Sequence, residues 1–222
     1  MVLFTILTVI LVATLIFLFL GITESAFAEI GFSRAEFAVL LIATLFGSFV
    51  NIPVTRISGD EPVVGYRDVR YFGFIYRIPV TARQRVSTLV TINVGGALIP
   101  ILVSAYLLLT HQSFAVDILI GVIVTSICVH LMAKKVKGQG IETPALLPPI
   151  VAAIISFIVH PGTGIAVIAY VSGSMGALIG ADLSNLRGIT DLGAPVVSIG
   201  GAGTLDGVFL TGIIAVILVS IF

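Results

Sequence analysis

Long apolar blocks, broken by short polar ones, divide this chain. Val2 to Gly21 is nearly unbroken apolar sequence, about the 20 residues a helix needs to cross a bilayer core. A signal peptide is the rival reading, because Ala26-Phe27-Ala28 has the small residues of a cleavage site. The basic leader is missing and the apolar run is long for a signal, so the stretch reads as a membrane anchor. Ser33-Arg34-Ala35-Glu36 is a Ser-x-x-Glu capping box, which satisfies orphan amides at a helix start. It opens a second span, over 36–50, ahead of Pro53.

Residues 51–86 break the apolar pattern. Ser58-Gly59-Asp60-Glu61-Pro62 is a turn signal, and the flanking Val, Ile, Tyr and Phe favour two or three short strands over helix. Tyr66, Tyr71, Phe72, Phe74 and Tyr76 stand there among arginines. Two readings stay open: a hairpin that receives an extended peptide, or an interfacial flap with aromatics at headgroup level and arginines near anionic lipid.

Further apolar blocks predict spans over 87–109, 115–132, 144–159, 164–182 and 205–222. The first of these contains Asn93, Gly95, Gly96 and Pro100, which read as kinking and packing devices. Pro148 and Pro149 make the 144–159 span start irregularly. Gly173, Gly176 and Gly180 allow close helix approach in the next. Pro195 to Ile199, followed by Gly200, Gly201 and Gly203, is better placed in a short extended stretch than in a continuous helix. The expected fold is therefore an all-α polytopic membrane protein, with about seven transmembrane helices in a single membrane domain. A small β-hairpin-like cytoplasmic segment interrupts them.

Composition agrees with a membrane protein. Of 222 residues, 58% are hydrophobic and 10% charged, and the mean hydropathy is +1.22, so no hydrated globular shell can be built. Eleven basic residues balance eleven acidic ones, which gives no support for nucleic-acid binding. The lone Cys128 excludes an intrachain disulfide or thiolate cluster, and it reads as a small buried hydrophobe. His130 has no second ligand three or four residues away, His111 and Asp117 need no special role, and neither a metal nor a cofactor is expected. With the amino terminus cytoplasmic, ten of the eleven basic residues fall inside and only Arg34 outside, in agreement with the positive-inside rule.

The candidate chemistry lies in Gly180-Ala181-Asp182-Leu183 and Gly203-Thr204-Leu205-Asp206-Gly207. A carboxylate in a hydrocarbon slab costs about 3 kcal/mol on insertion scales and marks a functional candidate. Asp182 ends one expected span and Asp206 begins the next, which puts both near the cytoplasmic side. Two carboxyls brought close share a proton. One can then take a proton from water while the other donates a hydrogen bond to a scissile carbonyl. The alternative is that both merely cap helix ends.

These aspartates on consecutive antiparallel spans, the glycine-rich approach to the second, and the triplet Pro144-Ala145-Leu146 at the start of another span resemble the presenilin and signal peptide peptidase family of intramembrane aspartyl proteases. The resemblance implies Asp182 and Asp206 as the catalytic pair and Pro144, Ala145 and Leu146 as substrate-positioning residues. Gly203 and Gly207, which flank the second aspartate, join that positioning set, and the implied partners are a membrane-embedded peptide substrate and the lipid bilayer. The chain departs from the family in two ways. Leu205 stands where the family motif has glycine, and the proline triplet precedes both aspartates, an order that a circular permutation reconciles. The whole chain also resembles an uncharacterised prokaryotic family of small multispanning proteins. Two other classes remain open. One is a proton- or sodium-coupled transporter or channel built on glycine- and proline-interrupted spans, and the other is a non-catalytic scaffold. Gly-x-Ser-x-Gly and His-Glu-x-x-His motifs do not occur.

Overall fold

The computed structural model describes residues 1–72, 74–136, 140–188, 195–201 and 207–221. Seven α-helices are seen among them: α1 (Val2–Glu29), α2 (Arg34–Gly47), α3 (Ile99–Thr110), α4 (Ala115–Met132), α5 (Leu147–Val159), α6 (Ile165–Ala177) and α7 (Gly207–Ile221). They are joined by strands β1 (Asn51–Tyr71), β2 (Phe74–Asn93), β3 (Lys134–Val136), β4 (Gly140–Glu142) and β5 (Val196–Ile199). A π-turn, Val94–Leu98, leads into α3, and a second, Leu178–Asp182, ends α6.

The expectation of an all-α protein with seven membrane-crossing helices is overturned. The strands form two sheets, one in the order β1-β2-β5 and one pairing β3 with β4. Among the described residues, three helical stretches are long and apolar enough to cross a membrane: Phe4–Glu29, Gln112–Met132 and Ile165–Leu186. They are consistent with an integral membrane protein. The other apolar helices, Val94–Thr110, Leu147–Val159 and Gly207–Ile221, are shorter. At 1.5 Å per residue the last two cover about 20 Å, against a hydrocarbon core of about 30 Å.

Backbone chemistry explains the shortening. Residues Ser87 to Asn93, expected to begin a helix, instead continue β2 in register with Asn51 to Ser58 of β1. Prolines 148 and 149 sit in the first turn of α5, where proline is tolerated, so that helix starts only at Leu147. The extended stretch before α7 is real: β5 pairs in parallel with β2 from Leu89↔Val196 to Ile92↔Ile199. The polar segment is also far from small. β1 and β2 pair antiparallel along nearly their whole length, with one register shift between Pro53 and Thr55, where proline lacks the amide that a regular ladder would use.

The Ser33 capping box forms. Ser33 Oγ accepts from the Glu36 amide while the Glu36 carboxylate accepts from the Ser33 amide at 2.8 Å. α6 is buried along most of its length and packs between α4, α5 and α7. Small residues make this possible. Gly121 of α4 meets Ser172, Gly176 meets Thr125, and Gly180 lies on Ser126 and Val129, while Gly173 faces Thr211 and Gly212 of α7. The core gathers around Phe27, Ile168, Tyr170 and Ile213, with the Phe27 ring against Phe32, Phe37, Tyr170 and Phe209. Only the end of α1 enters this core, and its large apolar side chains from Phe4 to Phe19 face outward.

Candidate functional site

α6 does not end as a plain helix. The five residues that continue it, Leu178–Asp182, widen into a π-turn, a geometry often found at functional positions. The freed carbonyls are taken up by side chains from the turn that follows. Asn185 Nδ2 donates to the Ala181 carbonyl at 2.8 Å and to the Gly180 carbonyl at 3.3 Å, and Ser184 Oγ donates to the Ile179 carbonyl at 2.7 Å. Asn185 is buried, and its amide lies 3.4 Å from His130 Nδ1 at the end of α4. With its end secured in this way, α6 presents Asp182 at a fixed position, half-buried.

The group facing Asp182 comes from the segment after β5. The Gly200 amide donates to Asp182 Oδ2 at 2.6 Å, a charge-assisted bond when the carboxylate is ionised. Gly200 has φ +70° and lies against the first π-turn, where a Cβ would come within 2.7 Å of Gly96 and Ala97 atoms. Both the left-handed backbone and the close approach require glycine. Parallel pairing of β5 to β2 delivers Gly200 to this point.

The base of the hairpin is tied to the same place by a buried asparagine. Asn93, 3% exposed, donates through Nδ2 to the Ser48 carbonyl at 2.8 Å and to Asn51 Oδ1 at 3.2 Å, and its Oδ1 accepts from the Gly96 amide at 2.8 Å. Ser198 of β5 donates to the same Asn51 oxygen. The end of α2, both strand bases, the first π-turn, β5 and the end of α6 thus converge through polar bonds.

Of the residues singled out in the sequence, Asp182 is placed in this convergence. Gly203 and Asp206 lie outside the described residues. Gly207 is the exposed first residue of α7, and among the described residues no atom stands within 4 Å of where its Cβ would be. Pro144, Ala145 and Leu146 are exposed just before α5, two residues after β4, which itself contacts the π-turn ending at Asp182. The triplet and Asp182 therefore belong to the same end of the bundle. Sequence reasoning missed Gly200 and Asn185, and it took Asn93 for a packing device. The available signal was Asn93 itself, an amide in apolar sequence beside Gly95 and Gly96.

Among the described residues no group of three or more His, Cys, Asp or Glu side chains is arranged to hold a metal. His160 pairs with Asp117 at 3.1 Å, joining the start of α4 to the end of α5. An open apolar groove of about 420 Å³, lined by Ile150, Ala153, Ile154, Phe157 and Leu218, lies between α5 and α7. None of those side chains carries a group able to do chemistry.

The family profile described as "Protein of unknown function (DUF1614)" matches residues 45–218. The chain belongs to that family. The match begins within α2 and ends within α7, so it takes in the hairpin, Pro144 to Leu146 and both aspartates. Neither a curated protein nor a solved structure matches the chain.

Proposed function

We propose that this chain is an intramembrane aspartic peptidase that cleaves transmembrane or membrane-associated peptides with Asp182 and Asp206. The observation that carries the reading is the Gly200 amide on Asp182 Oδ2. It ties the end of a membrane-length helix to the segment that reaches Asp206 six residues later. A stretch of six residues reaches at most about 20 Å, and α7 starts immediately afterwards. α6 and α7 run antiparallel, since Gly173 faces Thr211 and Gly212 while Ala177 and Leu178 share a cluster with Val208. The start of α7 is thus brought towards the end of α6.

In the proposed reaction one aspartate, ionised, takes a proton from water as that water attacks the scissile carbonyl. The other, protonated, donates a hydrogen bond to the carbonyl oxygen. The Gly200 amide orients Asp182, and Pro144 to Leu146, exposed at the same end, border the substrate. The hairpin base, the Lys134-Lys135 strand and the turn containing Arg187 also lie at this end, which the positive-inside rule assigns to the cytoplasm. This accords with a cytoplasmic amino terminus and a cell-membrane location.

The test is cleavage of a transmembrane peptide by the purified chain in liposomes. Asp182→Asn and Asp206→Asn should each lower the rate by at least about 100-fold, the low end of a general acid–base contribution, with unchanged thermal unfolding. Full cleavage by either variant refutes the dyad. A second reading, a proton- or sodium-coupled transporter, draws on the two irregular segments, Val94–Leu98 and Val196–Gly201, that meet beside Asp182. It predicts ion-dependent solute uptake into the same liposomes and no peptide cleavage.

A further inference from the structure

The β1–β2 hairpin is too long and too apolar on one side to stand alone in water. Twenty paired residues at about 3.4 Å each make a ribbon of roughly 65–70 Å. A two-stranded ribbon is at best marginally stable in water. Register and pleat sort the outer half of the ribbon into two faces. Val69, Tyr71, Phe74, Tyr76, Ile78 and Val80 share one face, with Arg67 as its only charge between Gly65 and Val80. All six are exposed, Tyr71 and Phe74 by 64% and 68%. The opposite face holds Tyr66, Ile75 and the charged residues Asp68, Arg70 and Arg77, with Arg77 paired to Asp68 at 3.1 Å.

Charge indicates what covers the apolar face. Between residues 51 and 93 the sequence has six arginines, Arg56, Arg67, Arg70, Arg77, Arg83 and Arg85, against Asp60, Glu61 and Asp68. Both strands also run directly into a helical bundle whose apolar helices suit a bilayer. The ribbon cannot cross that bilayer, because its open edges would leave backbone groups unsatisfied in hydrocarbon. We infer that the hairpin lies along an anionic membrane surface, with the Val69–Tyr71–Phe74–Tyr76–Ile78–Val80 face buried at headgroup and upper acyl depth and the Arg70–Arg77 face towards water. Tyrosine belongs at that interface, the Arg67 stem on the inserted face reaches from it to phosphate, and the arginines of the other face, one ribbon thickness away, are within about a Debye length of the anionic surface and add attraction to it. Such an arrangement stations the ribbon beside the Asp182 end of the bundle, where a membrane-borne chain would approach.

The chain has no tryptophan, so single introduced tryptophans report without background. The full chain is reconstituted in phosphatidylcholine vesicles, with and without phosphatidylglycerol, carrying lipids spin-labelled high on the acyl chain. Tyr76→Trp should show blue-shifted emission and several-fold stronger quenching than Tyr66→Trp on the other face. Phe74→Trp, a second reporter on the inserted face, should behave as Tyr76→Trp does, and quenching should strengthen with phosphatidylglycerol. Equal quenching at positions 66 and 76, or water-like emission at 76 and 74, overturns the inference. Blue-shifted emission without lipid quenching overturns it too, because a protein surface, a second copy or a bound peptide, would then cover the face.

Discussion

Replacing Gly200 by alanine tests the contact on which the site depends. Its φ of +70° costs an ordinary residue about 1–2 kcal/mol. The new Cβ would also lie 2.7 Å from the Ala97 Cβ, the Ala97 nitrogen and the Gly96 carbonyl carbon, about 0.7 Å inside ordinary van der Waals contact at 3.4 Å. Two of those atoms are backbone, held by the Asn93 bond to Gly96, so Gly200 is the partner that must move. Moving Gly200 disturbs the amide's 2.6 Å contact to Asp182, and a stretch equal to the overlap would take it to about 3.3 Å, beyond the usual N–H···O range. With Asp182 ionised, losing this hydrogen bond costs about 1.5–3 kcal/mol. Together these place Gly200→Ala about 2.5–5 kcal/mol below the parent. Thermal unfolding in detergent should show the loss, and hydrogen exchange should show faster exchange of the residue 200 amide. Gly207→Ala is the matched control: its Cβ meets nothing within 4 Å among the described residues and alanine favours helix, so it should be neutral or slightly stabilising. If Gly200→Ala kept both the unfolding midpoint and the slow amide, the reasoning about this contact would fail.

Asn93→Ala should cost about 2–5 kcal/mol, because it leaves the half-buried Ser48 carbonyl and the buried Gly96 amide without their partner. Asn93→Asp, which keeps the acceptor for Gly96 but has no donor for Ser48, should also destabilise, and equal midpoints for parent and both variants would contradict the assignment. At the start of α2, the side-chain hydrogen bond from Ser33, followed by the Ser33 amide, holds the Glu36 carboxyl below the ordinary glutamate range. Since the folded value is the lower one, the stabilisation is complete above the ordinary range and disappears as pH falls through the lowered value. An acid titration comparing the parent with Glu36→Gln should therefore show their stabilities converging at low pH, and a difference independent of pH would refute the coupling.

Some of this architecture is local and therefore legible in residue order. Long apolar runs make the helices Val2–Glu29 and Ala115–Met132, and a Ser-x-x-Glu spacing makes the cap at Ser33 because its bonds reach only three residues. Proline and clustered glycine before α7 exclude a continuous helix, and β-branched and aromatic residues place strands between α2 and α3, although Ser58 to Pro62, read as a turn between short strands, instead lies within the single long strand β1. Hydrophobicity alone does not say where a strand becomes a helix. Ser87 to Asn93 is apolar enough for either, and it becomes strand because β1 on one side and β5 on the other supply its hydrogen bonds. That pairing, with residues more than a hundred positions apart, removed about two turns from the expected helix and overturned the seven-span reading. Asp182 stands out in the sequence as a charge in apolar surroundings. Its partner Gly200 does not, because a glycine is recognised as indispensable only when the backbone it lies against, here Gly96 and Ala97, is in place.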